Sequence, residues 1–248
     1  MSTTIETSQW RRLTRGQDLL WIFRNRGLVG TTRWLRRAIP YHLWLHFTPS
    51  GRREWNFDRI HGVDTEGMVP RWEMGDVGPN LLHAVQYLPS KPKKFYALLD
   101  SLPINFVDFT FVDIGSGKGR TLLLAQRYHF HKTIGVEFVP ELCETARKNL
   151  EICRCLAEIP CMDATQFDFP EGPLVVYMCN PFSAQPMRAM VKNLEHSLAL
   201  SPRPVWVVYW NAIQSEAFLE SPSFSLVDSR SDEYAIFKSH YSKSREVN

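Results

Sequence analysis

A chain of 248 residues, 44% hydrophobic and 22% charged, has the size and composition of one sizeable soluble α/β domain with an extension. No run approaches the ~18 consecutive apolar residues of a spanning helix, and the polar first eight residues lack the charged-then-apolar order of a secretory signal, so the expected location is the cytoplasm. The net charge of +3 is unevenly spread: residues 1–53 hold ten arginines, no lysine and only Glu6 and Asp18 as acids, a balance of +8 that leaves −5 on the remainder. A polyanion-binding surface is excluded for the whole chain and left open for that segment.

Taken in order, residues 1–53 mix their arginines with Trp10, Trp21, Trp34 and Trp44; stretches 17–23 and 31–39 read as short amphipathic helices, the second stopped by Pro40. This basic helical N-terminal extension suits a lid over a site, a binder of RNA phosphates, or a segment lying on an anionic membrane. Residues 54–103 are rich in Gly and Pro and end in a predicted helix at 91–102. Beyond them, 109–114 is an apolar β-branched strand running into glycines, and 119–128 is a helix with apolar positions from Leu122 to Ala125. Strand 133–136, helix 140–153 opening on Pro140, strands 159–162 and 173–179, helix 185–200 and strand 204–210 follow, then two strands at 224–228 and 233–237 close enough for a hairpin. The alternation predicts a doubly wound, mostly parallel seven-stranded sheet with an antiparallel terminal hairpin. The expected units are the extension at 1–53, a segment covering the site at 54–103 and the α/β domain at 104–240.

The five cysteines (Cys143, Cys153, Cys155, Cys161, Cys179) contain no C-x-x-C pair and no nearby histidine pair, so free thiols rather than a metal site are expected. The sharpest signal is Val112-Asp113-Ile114-Gly115-Ser116-Gly117-Lys118-Gly119-Arg120, where a strand becomes a helix at the sheet edge that binds ligands in open α/β folds. It is not a phosphate-cradling P-loop, because Val112 stands where the first glycine belongs and Gly119 where the hydroxyl belongs. It fits a dinucleotide loop poorly, since its glycines run G-x-G-x-G with an acid two residues ahead. An acid at Asp113 is placed for an ammonium group. A second acid, Glu137, ends the next strand 22 residues after Gly115, the position from which a carboxylate accepts hydrogen bonds from vicinal ribose hydroxyls.

With its D-x-G-x-G-x-G pattern complete from Asp113 to Gly119, the chain resembles the class I, Rossmann-like S-adenosylmethionine-dependent methyltransferases over residues 87–238. The resemblance implies S-adenosylmethionine as cofactor, held by Asp113, Gly115, Ser116, Gly117, Gly119, Glu137 and the adjoining Phe138. It implies Asp163 and Ala164, after the third strand, as the adenine-facing pair. The fourth strand ends in Asn180-Pro181-Phe182, which resembles the [D/N/S]-P-P-[Y/F/W] motif of amino-group methyltransferases with one proline missing. There Asn180 and the Pro181 carbonyl would receive the target nitrogen, and Phe182 would pack against it, so a protein side chain or small amine is the expected acceptor. An RNA or DNA acceptor held by the basic extension, and a cofactor-binding scaffold without catalysis, are the alternatives. Upstream, Thr65, Tyr87 and Pro89 are expected to close the methionine end, and His61 and His83 of the same region to be structural.

Overall fold

Strands covered on both faces read as unbroken apolar runs, and the centre of this protein is built of such runs. A computed structural model describes residues 56–67, 69 and 87–240; the helices expected at 17–23 and 31–39, the rest of the basic extension and His83 lie outside the described residues. Strands β1 (Thr110–Ile114), β2 (Lys132–Val136), β3 (Leu174–Cys179), β4 (Val205–Trp210), β5 (Phe224–Arg230) and β6 (Tyr234–Ser239) form one sheet in the order β2-β1-β3-β4-β6-β5. The first four run parallel, and β6 turns antiparallel against β4 and β5, which is the expected terminal hairpin.

The sheet has six strands, not the seven expected, and the missing one is the stretch 159–162. It lies beside β2 in the right register: Glu158 N–H bonds Thr133 O, Gly135 N–H bonds Glu158 O, Glu137 N–H bonds Pro160 O and Met162 N–H bonds Glu137 O. The rung between these would come from the N–H of residue 160. Proline has none, so the ladder breaks into two isolated bridges, Ile134 to Glu158 and Glu137 to Cys161.

Helices cover both faces. On one side lie α1 (Phe57–His61), α2 (Pro92–Leu99), α3 (Arg120–Ala125) and α4 (Pro140–Ile152); on the other lie α5 (Ala184–Leu200) and α6 (Glu216–Leu219). The helix expected at 119–128 is α3 followed by a 3-10 turn, Gln126–Tyr128, which His129 ends at φ 51°. That expected at 91–102 stops at Leu99, and Asp100 beyond it accepts the Tyr128 hydroxyl at 2.7 Å. Among the described residues no helix is long and apolar enough to cross a membrane.

Alternation along β3 divides the core. Val176 and Met178 pack with Met187, Met190 and Leu194 of α5, whereas Val175 and Tyr177 face the aromatic side. There Phe95 of α2 meets Tyr177 at 5.1 Å, Tyr96 at 5.8 Å, Phe111 at 5.9 Å and Tyr128 at 6.4 Å between ring centroids, each edge to face. Truncating this ring leaves a cavity that four neighbours cannot collapse into. Phe95→Ala is expected to destabilise the fold by about 3–5 kcal/mol in urea denaturation; a loss below about 1 kcal/mol would show that α2 is not part of the core.

Candidate functional site

The chain leaves β1 at Ile114 and turns through Gly115–Gly119 into α3. Two glycines there are required by what lies on them. Gly117 has φ 54°, and a Cβ built on it would stand 2.2 Å from the Tyr87 ring; Gly115 has φ 77°, and its Cβ would stand 2.8 Å from Pro181 Cβ. The bare backbone of the loop is thus gripped by Tyr87 on one side and by Pro181, after β3, on the other. Gly135 of β2 serves the same end from below, since its Cβ would meet Ser116 Oγ at 2.8 Å.

Two carboxylates are buried in this frame. Asp113 accepts a hydrogen bond from the Thr121 hydroxyl at the start of α3. Burial pushes its carboxyl up to about 7, partly opposed by that hydrogen bond and assisted by the charge of Glu137. Glu137 turns back on the backbone: Oε2 accepts Gly117 N–H at 2.9 Å, and Oε1 accepts Phe138 N–H at 2.9 Å and Val139 N–H at 3.0 Å. Burial raises its carboxyl above the ordinary range despite the three donors. A carboxylate has about four acceptor positions, so roughly one remains for a ligand hydroxyl.

At the end of β3, Asn180 takes φ 44°, which asparagine tolerates. Its Oδ1 accepts the Tyr209 hydroxyl at 3.2 Å, and the Tyr209 oxygen accepts Gln214 N–H at 3.2 Å. The second Oδ1 lone pair and the Nδ2 group take no partner among the described residues.

These groups line one cleft. Of the residues singled out from the sequence, its wall holds Tyr87, Asp113, Gly115, Ser116, Glu137, Phe138, Asn180, Pro181 and Phe182. Phe182 also packs into the α5 core. The others stand off it. Gly117 lies under Tyr87, and Gly119 packs on Ala146. Pro89 is half-buried outside the wall, and Ala164 faces the core. Asp163 caps its own turn, accepting Thr165 N–H and the Thr165 hydroxyl, each at 2.9 Å. His61 lies against Phe57, away from the cleft.

Sequence reasoning missed what binds residues 58–66 to the glycine loop. Asp58 of α1 accepts Thr65 N–H at 2.7 Å, Glu66 N–H at 2.6 Å, the Thr65 hydroxyl, and Arg120 Nη2 at 3.0 Å. Lys118, fully buried, donates to Asp64 Oδ1 at 2.8 Å and Glu66 O at 3.0 Å. Asn149 of α4 joins both partners, donating to Asp64 O and Lys118 O and accepting Asp64 N–H. The Tyr87 hydroxyl donates to Thr65 O at 2.8 Å. The available signal was charge complementarity, two cations inside a glycine loop and Asp58, Asp64 and Glu66 upstream. Ser90 and Cys179 also line the cleft unforeseen, as does Arg120 at the end of the glycine motif expected to hold the cofactor; burial pushes the Cys179 thiol up to about 12, with the Asp113 charge adding.

A glycine loop between strand and helix, with an acid after the next strand, defines an α/β site of the nucleotide-binding kind. Residues 111–200 match the family model described as a methyltransferase domain. That stretch carries the loop, Glu137 and Asn180, so the methyltransferase-domain match falls on the residues from which the cleft is built. A comparison with curated proteins finds no match. Similar solved structures include an RNA methyltransferase from Salinibacter ruber in complex with S-adenosyl-L-homocysteine, at 19% identity over 64% of this chain and 97% of the other, with a TM-score of 0.43. A ribosomal protein L11 methylase from Lactobacillus delbrueckii subsp. bulgaricus is 12% identical over 59% and 77%, with a TM-score of 0.42. Magnesium protoporphyrin IX methyltransferase from Synechocystis PCC 6803 with bound SAM is 15% identical over 60% and 77%, with a TM-score of 0.41.

The wall fits such a cofactor. It carries two acids, Asp113 and Glu137, against one cation, Arg120, and so favours a ligand of net positive charge. The raised Asp113 carboxyl also sets a pH dependence. Between about pH 4 and pH 7 the folded protein holds a proton that the unfolded chain has lost, so this group makes stability fall as pH rises through that window. Melting temperatures are expected to drop from pH 5 to pH 7.5 more steeply in the wild type than in Asp113→Asn; parallel profiles would contradict the raised value.

Proposed function

We propose that this chain transfers a methyl group from S-adenosylmethionine to a nitrogen, either of a protein side chain or of a small amine. The observation that carries the reading is the Asn180 amide: it stands on the cleft wall, locked by Tyr209, with an oxygen lone pair and an NH2 group uncommitted among the described residues. A target nitrogen donating to Oδ1 and to the Pro181 carbonyl would have its lone pair turned into the cleft. Phe182 beside it would exclude water and stack on a cationic product. The bound cofactor supplies a methyl group on a sulfonium carbon already activated by its charge. Alignment and desolvation are what this chain has to add. Neither Asn180 nor Pro181 is a strong base, so an ammonium substrate loses its proton before attack.

On the cofactor side, ionised Asp113 faces the ammonium, and the open position on Glu137 accepts a ribose hydroxyl. Asp163 is committed to Thr165, which leaves the adenine side to Phe138. Residues 54–103 act as the cover, clamped through Asp58, Thr65 and Tyr87. A second reading, a nucleic-acid acceptor, is favoured by the ten arginines of residues 1–53.

The test is incubation with methyl-labelled cofactor and a desalted cell extract, followed by alkaline treatment and separate analysis of amino acids, nucleosides and small amines. Label on nitrogen survives alkali, whereas ester label is released; loss of all label to alkali, or label confined to nucleosides, would overturn the acceptor proposed. Asn180→Ala is expected to lower turnover about 100-fold, the scale of lost alignment, with S-adenosylhomocysteine affinity nearly unchanged. An equal fall in both would remove Asn180 from the acceptor side.

A further inference from the structure

Arg120 opens α3, is buried, and is the one cation among the described residues of the cleft wall. Its Nε donates to Thr65 Oγ1 at 2.7 Å and its Nη2 to Asp58 Oδ1 at 3.0 Å, while its guanidinium lies 4.8 Å over the Phe57 ring. These contacts fix the plane of the fork from one edge. Nη1 meets no partner among the described residues, although the side chain is buried and belongs to the wall. A guanidinium held this way is prepared for a second, planar acceptor such as a carboxylate. Lys118 cannot take this place, because its ammonium is directed to Asp64 and Glu66 and it is not on the wall.

The rest of the wall decides which carboxylate. Asp113 and Glu137 outnumber Arg120, so a bare anion entering here meets net repulsion. A zwitterion brings its own cation for Asp113. We propose that Arg120 binds the α-carboxylate of the cofactor's amino-acid end while Asp113 takes its ammonium, so that the two read a zwitterion as a pair. The assignment rests on the S-adenosylmethionine reading of the same cleft. It gives the cover a purpose in binding: Asp58 and Thr65, 62 and 55 residues upstream, hold the side chain that recognises the ligand.

The experiment is calorimetric titration of the full chain with S-adenosylhomocysteine and with its decarboxylated analogue, which keeps the nucleoside, the thioether and the amine. It is run on the wild type, Arg120→Gln and Arg120→Lys. The wild type is expected to prefer S-adenosylhomocysteine by about 10–100-fold, the worth of a charge-assisted hydrogen bond, and both variants to lose most of that preference while binding the analogue as the wild type does. The lysine variant keeps a cation beside Asp58 and guards against misfolding of the glutamine one. Equal wild-type affinity for the two ligands, or variants that weaken both equally, would overturn the role of Arg120. A wild type that binds neither ligand would instead overturn the cofactor reading beneath it.

Discussion

A carboxylate taken out of water must find donors at once, and Glu137 finds them in its own surroundings. By accepting Gly117, Phe138 and Val139 N–H groups it ties the glycine loop after β1 to the segment after β2. The glycine loop is held in place by that tie. Gly117 is held where Tyr87 can lie on it, and Gly115 where Pro181 can. Asp113, one residue before the end of β1, is kept dry beneath the loop. One carboxylate therefore serves as a structural clamp on the wall of the cleft.

Residues 58–66 are attached by charge pairing instead. Lys118 and Arg120 are cations inside the protein, and such charges persist only when paired and hydrogen-bonded. Their partners come from residues 58–66, which the pairing fastens to the glycine loop. Side chains on the cleft wall such as Arg120, Glu137 and Asn180 are held by neighbours within the protein. Preorganisation of this kind is what methyl transfer asks of a protein, since the reacting carbon is activated by the cofactor itself.

Much of this was legible in the sequence because the requirements are local. Asp113 to Gly119, Glu137 and Asn180 follow their strands at fixed offsets, and a chain read in order reveals them. The hairpin and four of the six described helices were visible from periodicity for the same reason. What escaped was either very short or long-range. Helices α1 and α6, at five and four residues, are too brief to show a period. The stretch 159–162, expected as a strand, lies beside β2 but fails as a strand for want of one N–H at Pro160. Asp163 fits a site by position, yet its carboxylate is satisfied two residues on. Arg120, Lys118 and Asn149 act on partners 52 to 85 residues away, which no local pattern discloses.

The account stands on the identity of the ligand in the cleft. Its most direct test is calorimetric titration of the full chain with S-adenosylmethionine and with NADH, repeated on Glu137→Ala. Binding of S-adenosylmethionine alone, lost in the variant while its melting transition stays cooperative, is the predicted result. Preference for NADH, or a folded wild type that ignores S-adenosylmethionine at millimolar concentration, would contradict it.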